Sequence, residues 1–329
     1  MQKRQPRIVL LGGGTGSFTL LQGLKRLTSD LTAVVTMSDD GGSTGILRDE
    51  LGVLPPGDVR QCLVALSDLP EVRDLFSYRF EVGSLKGQSL GNIILSGLEL
   101  QYGDFEEAIR IASKLLHSKG SVVPVTFDKH VLAVHDGSRI YRGEHIIDGP
   151  LPLSAGARVH LEPEAMLNPK AVQKIMDADM VVIAPGSMHS SLLPILAVSG
   201  MSEALKATPA IVVSVSNLIN KPKQTDDWHV VDYLTQFARY IGSETIDVVL
   251  YNSQTIDPSL LRKYATEGEF PVRVEPERFA EVSTRSIGAR LVSKEVVARE
   301  SASDATQRTL IRHDAAAVSR ELKKLLPRS

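Results

Sequence analysis

The stretch Ile8-Val-Leu-Leu-Gly-Gly-Gly-Thr-Gly-Ser17 decides how this chain folds. A short, fully apolar run that stops at glycines reads as a strand buried on both faces, central in a parallel sheet. Behind the glycines, Phe18, Leu21, Leu24 and Leu27 recur at a spacing of three, which places them on one helix face. Leu31 to Met37 is the next strand, so the chain opens as strand, glycine loop, helix, strand.

The pattern continues outward from there. Ser38 to Gly45 (SDDGGSTG) reads as a polar loop at the carboxyl end of the second strand, and Val59 to Ser67 as a helix capped by Asp58. Ser89-Leu-Gly-Asn92 starts another helix, and Phe105 to Leu116 is amphipathic. Ser121 to Phe127, Val131 to His135, Arg139 to Tyr141 and Ala157 to Leu161 read as strands of a compact insertion spanning about 120–165. Alternation resumes with strands at Met180 to Ala184, Ala210 to Val215 and Ile246 to Leu250, and a helix at Trp228 to Tyr240. Such alternation predicts an α/β fold with a mainly parallel sheet covered on both faces. Glu300 to Gln307 reads as an exposed loop and Ala315 to Leu326 as a terminal helix capped by Asp314. The expected organisation is one domain over 1–299, with 300–329 packed on it.

Composition narrows the function classes. The 329 residues, 43% hydrophobic and 23% charged, are those of a folded water-soluble protein. With 37 basic against 39 acidic side chains there is no global field for nucleic acid or an anionic membrane, so an anionic ligand must be held locally. Cys62, the lone cysteine, excludes an internal disulfide and points to a reducing compartment. No apolar run reaches the roughly 18–20 residues a bilayer crossing needs, and the expected location is cytoplasmic, without membrane insertion. The eight histidines show no zinc-ligand spacing.

In a parallel sheet, the loops leaving the carboxyl ends of the strands line one crevice, where helix starts present free N–H groups to an anion. Three glycine-bearing loops fall there: Gly12-Gly13-Gly14-Thr15-Gly16, Ser38 to Gly45 with Ser43, and Pro185-Gly186-Ser187. Glycine lets main chain approach a phosphate closely, whereas the bland alternative is a tight turn. The dinucleotide fingerprint is imperfect, because Ser17 stands where its last glycine belongs, and no lysine follows to make a P-loop. Asp39 and Asp40 stand where an acid meets ribose hydroxyls or a divalent ion, or else form a solvated turn. Asp58 is equally a helix cap. Ser89, Gly91, Asn92 and Asn217 either extend the crevice or are ordinary helix-start and turn residues. His189 reads as a surface residue near the crevice, and Cys62 as core.

At these loops the chain resembles a known family. GGGTGS (12–17), SDDGGSTG (38–45), ELGVLPPGDVRQCLVAL (50–66), YRF (78–80), SLGN (89–92), APGS (184–187) and IRHD (311–314), in that order, resemble the gluconeogenesis-factor family of YvcK type, related to 2-phospho-L-lactate transferase of CofD type. Met188-His189 and Asn217 to Pro222 depart from the usual pattern of that branch. The resemblance implies a Rossmann-like three-layer αβα fold, a possible homodimer state, and a nucleotide ligand on Gly12 to Gly16. That ligand is a UDP-sugar in one branch, bound by regulators of cell shape and gluconeogenic growth. In the other it is a guanosine diphosphate conjugate, from which a phospholactyl group passes to a deazaflavin alcohol with Mg²⁺. Asp39, Asp40 and Asp58 become the candidate catalytic carboxylates if the protein is an enzyme, with Asp39 and Asp58 the candidate metal ligands. An NAD-dependent oxidoreductase is the last-ranked alternative.

Overall fold

A computed structural model describes residues 4–293 and 311–326. The loop expected at Glu300 to Gln307 lies outside the described residues. The strands are β1 (Ile8–Gly12), β2 (Leu31–Val35), β3 (Ser121–Pro124), β4 (Val131–Asp136), β5 (Arg139–Arg142), β6 (Arg158–Glu162), β7 (Met180–Ile183), β8 (Ile211–Val215), β9 (Val248–Asn252) and β10 (Arg285–Ala289). The helices are α1 (Gly14–Leu24), α2 (Gly42–Leu51), α3 (Gly57–Leu66), α4 (Pro70–Ser77), α5 (Leu90–Tyr102), α6 (Phe105–Leu115), α7 (Glu144–Ile147), α8 (Pro169–Asp177), α9 (Leu193–Leu196), α10 (Met201–Ala207), α11 (Val230–Ile241), α12 (Pro258–Ala265) and α13 (Ala315–Leu325).

Seven strands form one sheet in the order β10-β9-β8-β7-β1-β2-β3, with every pairing parallel. Leu10 is level with Ala33 on one side and Val182 on the other. Every residue of β1, β2 and β7 is buried, which a parallel sheet achieves only when helices cover both faces. The α/β architecture with a parallel sheet is therefore as the sequence predicts. Strand order reverses between β1 and β7, and that switch point opens a crevice outside the strands' carboxyl ends. A second sheet, β5-β4-β6, is antiparallel and small.

Four local expectations are corrected. Ser121 to Phe127 belongs to the main sheet rather than the insertion: β3 pairs with β2, its residues Val122 and Val123 buried. The polar loop after β2 is shorter than expected, because the helix starts at Gly42, inside the glycine stretch. On α1 the buried apolar residues are Leu20, Leu21 and Leu24, while Phe18 is half-buried and Leu27 lies beyond the helix. The helix packs not only on β1 but also against α3 and α13, whose Ala315 O would stand 2.3 Å from a Cβ on Gly23. Asp58 does not cap α3; it lies in the first turn, after Pro56 and Gly57. Among the described residues no helix is long and apolar enough to cross a membrane.

Candidate functional site at the sheet switch point

Helices α1, α2, α3 and α5 begin at the wall of one polar cavity of about 680 Å³, lined by Gly14, Gly42, Gly57 and Asn92 at their first turns. None of these four helices is hydrogen-bonded by the side chain of its own N-cap residue. By contrast, α6, α8, α11, α12 and α13 are capped by Asp104, Asn168, His229, Asp257 and Asp314. Helix starts carry N–H groups left free by the helix and the positive end of the dipole, so four starts without N-cap side chains of their own around one cavity, the first of them already holding the Asp58 carboxylate on the Gly14 N–H, suit anionic oxygens.

A buried polar network stiffens this wall. Arg60 donates from Nε to Asn92 Oδ1 at 2.9 Å and from Nη1 to Phe76 O at 3.3 Å. Asn92 Nδ2 donates to Ser43 Oγ at 3.3 Å, and Ser43 donates to Gln88 Oε1 at 2.6 Å. Arg79, whose Nη1 is held by Gly87 O at 2.9 Å, brings a second guanidinium to the cavity. Arg is suited to phosphate because its fork is planar and always charged.

Carboxylates face the same space. Asp39 Oδ1 accepts the Gly41 N–H at 3.0 Å, and Asp58 Oδ1 accepts the Gly14 N–H at 2.9 Å. Enclosure raises the Asp39 carboxyl above its ordinary value, against the pull of Thr44 and the Gly41 amide. Asp58 keeps contact with the cavity but is otherwise enclosed; burial, then Asp39, pushes it up to about 7. The insertion adds Glu144, pushed up to about 9 by burial and then by Asp39, Asp148, Asp58 and Asp40, and also Asp148. Among the described residues no three His, Cys, Asp or Glu side chains are set to hold a metal by themselves. Asp39 and Asp58 fit Mg²⁺ only as a part-set, to be completed by phosphate oxygens and water.

The structure sorts the residues named from sequence. Gly14, Asp39, Ser43, Asp58 and Asn92 line the cavity. Gly16 and Gly91 serve packing: a Cβ on Gly16 would stand 1.9 Å from Pro185 O, and one on Gly91 2.4 Å from Phe76 O. Gly12 and Gly13 make room for Ser17 Oγ and Asp58 Oδ2, while Thr15 O accepts from the Thr19 hydroxyl at 3.1 Å. Asp40 turns away, accepting from the N–H groups of Glu144 at 2.9 Å and His145 at 2.8 Å, so it holds α7 in place. Asn217 clamps Gly186, accepting its N–H at 3.0 Å and donating to its carbonyl at 2.8 Å. Ser187 Oγ accepts from Lys221 Nζ at 3.1 Å, and Ser89 precedes α5 with a buried hydroxyl.

His189 is not the surface residue expected. It is buried, donates from Nδ1 to Gln224 Oε1 at 3.3 Å, and is lowered to about 4 by burial. Gln224 in turn donates to Ile147 O at 2.6 Å, so His189 belongs to the seam holding the insertion against the main sheet. Cys62 is core, its thiol pushed up by burial. Arg60, Arg79, Glu144 and Asp148 were missed. Arg60, two residues after Asp58 on α3, carried a spacing signal; the two insertion acids carried none. A larger recess of about 900 Å³ opens at the amino ends of β8 and β9, beside Lys206, Glu244 and Arg285. It has none of the glycine loops and lies at the opposite rim of the sheet, so chemistry favours the smaller cavity.

A parallel sheet with uncapped helix starts at its switch point defines a doubly wound α/β protein with an anion-type pocket. The chain belongs to the family described as 2-phospho-L-lactate transferase CofD, which it matches over residues 8–296. It is 37% identical over 327 residues to the gluconeogenesis factor of Bacillus subtilis, covering 98% of this chain and 99% of that one. It is 36% identical over 331 residues to the gluconeogenesis factor of Listeria monocytogenes, covering 99% and 97%. A relative from Clostridium acetobutylicum is 41% identical over 275 residues, 82% of this chain and 61% of that longer protein. A crystal structure of a UPF0052-family protein from Bacillus halodurans superposes with a TM-score of 0.87 at 35% identity, covering 98% of this chain and 99% of that one.

Proposed function

We propose that the cavity binds the diphosphate of a UDP-sugar, and that this chain is a cytoplasmic regulator of gluconeogenesis-factor type that ties cell shape and envelope metabolism to gluconeogenic growth. The observation that carries the ligand class is the set of four helix starts without N-cap side chains of their own around one cavity with Arg60 and Arg79 in its wall. The sugar-nucleotide and the regulatory role come from the resemblance to the gluconeogenesis-factor family, and a homodimer without nucleic-acid partners belongs to the same reading. Mg²⁺ on Asp39 and Asp58 would supply charge neutralisation of the diphosphate.

A second reading, a phospholactyl transferase acting on a deazaflavin alcohol, is favoured by the enclosed carboxylates Asp58 and Glu144, which are raised toward the range where they exchange protons near neutral pH. Asp39, Asp40 and Asp58 were its candidate catalytic residues, and Asp40, bound to α7, is the one facing away from the cavity. Calorimetry with UDP-sugars, GDP and NAD, each with Mg²⁺, separates the readings. Selective binding of a UDP-sugar is the expected result. Binding of GDP alone, with product formed from activated phospholactate and the deazaflavin alcohol, replaces the first reading with the second.

A further inference from the structure

The switch-point cavity has two unlike sides. On one stand the guanidinium groups: Arg60 is tied to Asn92 and through it to Ser43, and Arg79 to Gly87 O beside Gln88, the acceptor of the Ser43 hydroxyl. On the other, α7 and the π-helical turn Met188–Leu192 bring Glu144, Asp148, Ser190 and Ser191 to the wall. Ser190 Oγ donates to Asp148 Oδ1 at 2.7 Å, and the same oxygen accepts from Lys221 Nζ at 2.6 Å. Much of the wall's hydrogen-bonding capacity is unspent. Among the described residues the side chains of Gln61, Glu144 and Ser191 make no hydrogen bond, and the hydroxyl of Thr36, a residue only 3% exposed, has no partner. Among the described residues, too, the wall is made of glycine and of hydroxyl, amide, carboxyl and guanidinium side chains, with no aliphatic or aromatic residue in it.

A nucleobase is held by stacking and apolar contact on its faces, and this wall offers neither. A sugar suits it, because each sugar hydroxyl both donates and accepts, and the unspent carboxyl, amide and hydroxyl groups are the partners it needs. The insertion side carries two acids and no guanidinium, so phosphate charge is drawn to Arg60 and Arg79 and the uncharged part of the ligand is left for Glu144. Raised to about 9 by burial first, the Glu144 carboxyl keeps its proton at neutral pH and can donate to a hydroxyl as well as accept from one. We infer that the cavity reads a sugar diphosphate from its sugar end: the sugar sits against Glu144, Asp148 and Ser191, the diphosphate against Arg60 and Arg79, and the base stays outside and is not discriminated. The inference rests on the diphosphate reading of the cavity and assigns the part of the ligand that is selected.

The test is calorimetric titration of UDP-glucose, ADP-glucose, UDP and ADP, all with Mg²⁺, into the wild-type chain, Glu144→Ala and Glu144→Gln, after thermal melting has shown that the variants fold. Wild type is expected to bind UDP-glucose and ADP-glucose within about fivefold of each other, and UDP and ADP more than about fivefold more weakly than either. Glu144→Ala is expected to lose roughly tenfold for the two sugar nucleotides and nothing for UDP and ADP, whereas Glu144→Gln, which still donates and accepts, recovers most of that loss. A role of Glu144 in holding α7 alone would move all four ligands together. UDP-glucose and ADP-glucose more than about fivefold apart, UDP binding as tightly as UDP-glucose, or Glu144→Ala without a sugar-specific loss each overturns the inference while leaving the diphosphate reading intact. The first two comparisons need only the wild-type chain. No binding of any of the four ligands by wild type overturns both.

Discussion

At the residue scale, the glycines of the first loop divide by what crowds them. Gly16 faces main chain that cannot move aside: a Cβ there would stand 1.9 Å from Pro185 O. Gly13 faces the end of a side chain, Asp58 Oδ2 at 2.2 Å, and Thr36 Cγ2 at 2.8 Å. Gly16→Ala is therefore expected to destabilise by about 3 kcal/mol or more, and Gly13→Ala by less. In urea unfolding, the cost of Gly13→Ala should shrink when combined with Asp58→Ala, while that of Gly16→Ala should not. Equal costs in both backgrounds would show that Asp58 does not set the need for glycine at 13. Glycine-rich lettering was legible in the sequence as a cradle. What each glycine accommodates was not, because Pro185 and Asp58 reach the loop from far along the chain.

At the scale of elements, the two neighbouring aspartates of the second loop serve different neighbours. Asp39 faces the cavity, whereas Asp40 ties the short helix α7 down through the N–H groups of Glu144 and His145 and through His145 Nδ1 at 2.8 Å. Asp40→Ala is expected to raise hydrogen exchange at residues 144–148 and to cost about 1–2 kcal/mol overall, the loss of a helix cap. Unchanged protection there would mean that α7 is held by the His189 and Gln224 seam alone. The sequence showed two acids in one polar loop and a strand-rich segment 80 or so residues later, roughly the length of several ordinary elements. Nothing local tells that one acid reaches that segment, since a cap from outside the helix has no sequence spacing.

At the scale of the whole molecule, two buried histidines set an acid limit. His189, in the seam beside the insertion, and His313, which lies 3.1 Å through Nε2 from Ser216 O, are both lowered to about 4 by burial. In the unfolded chain an imidazole takes up its proton near pH 6.5, so the unfolded state binds more protons between about 4 and 6.5. The stability these groups hold is full above about pH 6.5 and is lost as pH falls toward 4, on the order of 3 kcal/mol each. The raised carboxyls Asp58 and Glu144 act with the opposite sign over this range, so the histidine contribution is read as a difference: in urea unfolding from about pH 7.5 down to about 4.5, the midpoint of His313→Asn should rise relative to wild type as pH falls. A difference between the two proteins that does not change with pH would show that the imidazole at 313 is not buried neutral.

The sequence by itself determined the layered α/β sheet and the rim where its glycine loops gather, because both follow from local signals: apolar strands of a few residues, and glycines that end them. It also determined that Cys62 is core and that Asp314 caps the last helix. Only the tertiary structure decided that β3 joins the main sheet, that Asp58 crosses to Gly14 instead of capping α3, and that Glu144, Asp148 and the two arginines share one cavity. Each of those outcomes depends on which distant groups meet in the low-dielectric interior, where a charge or a free N–H must find a partner, and one-dimensional spacing carries no record of such meetings.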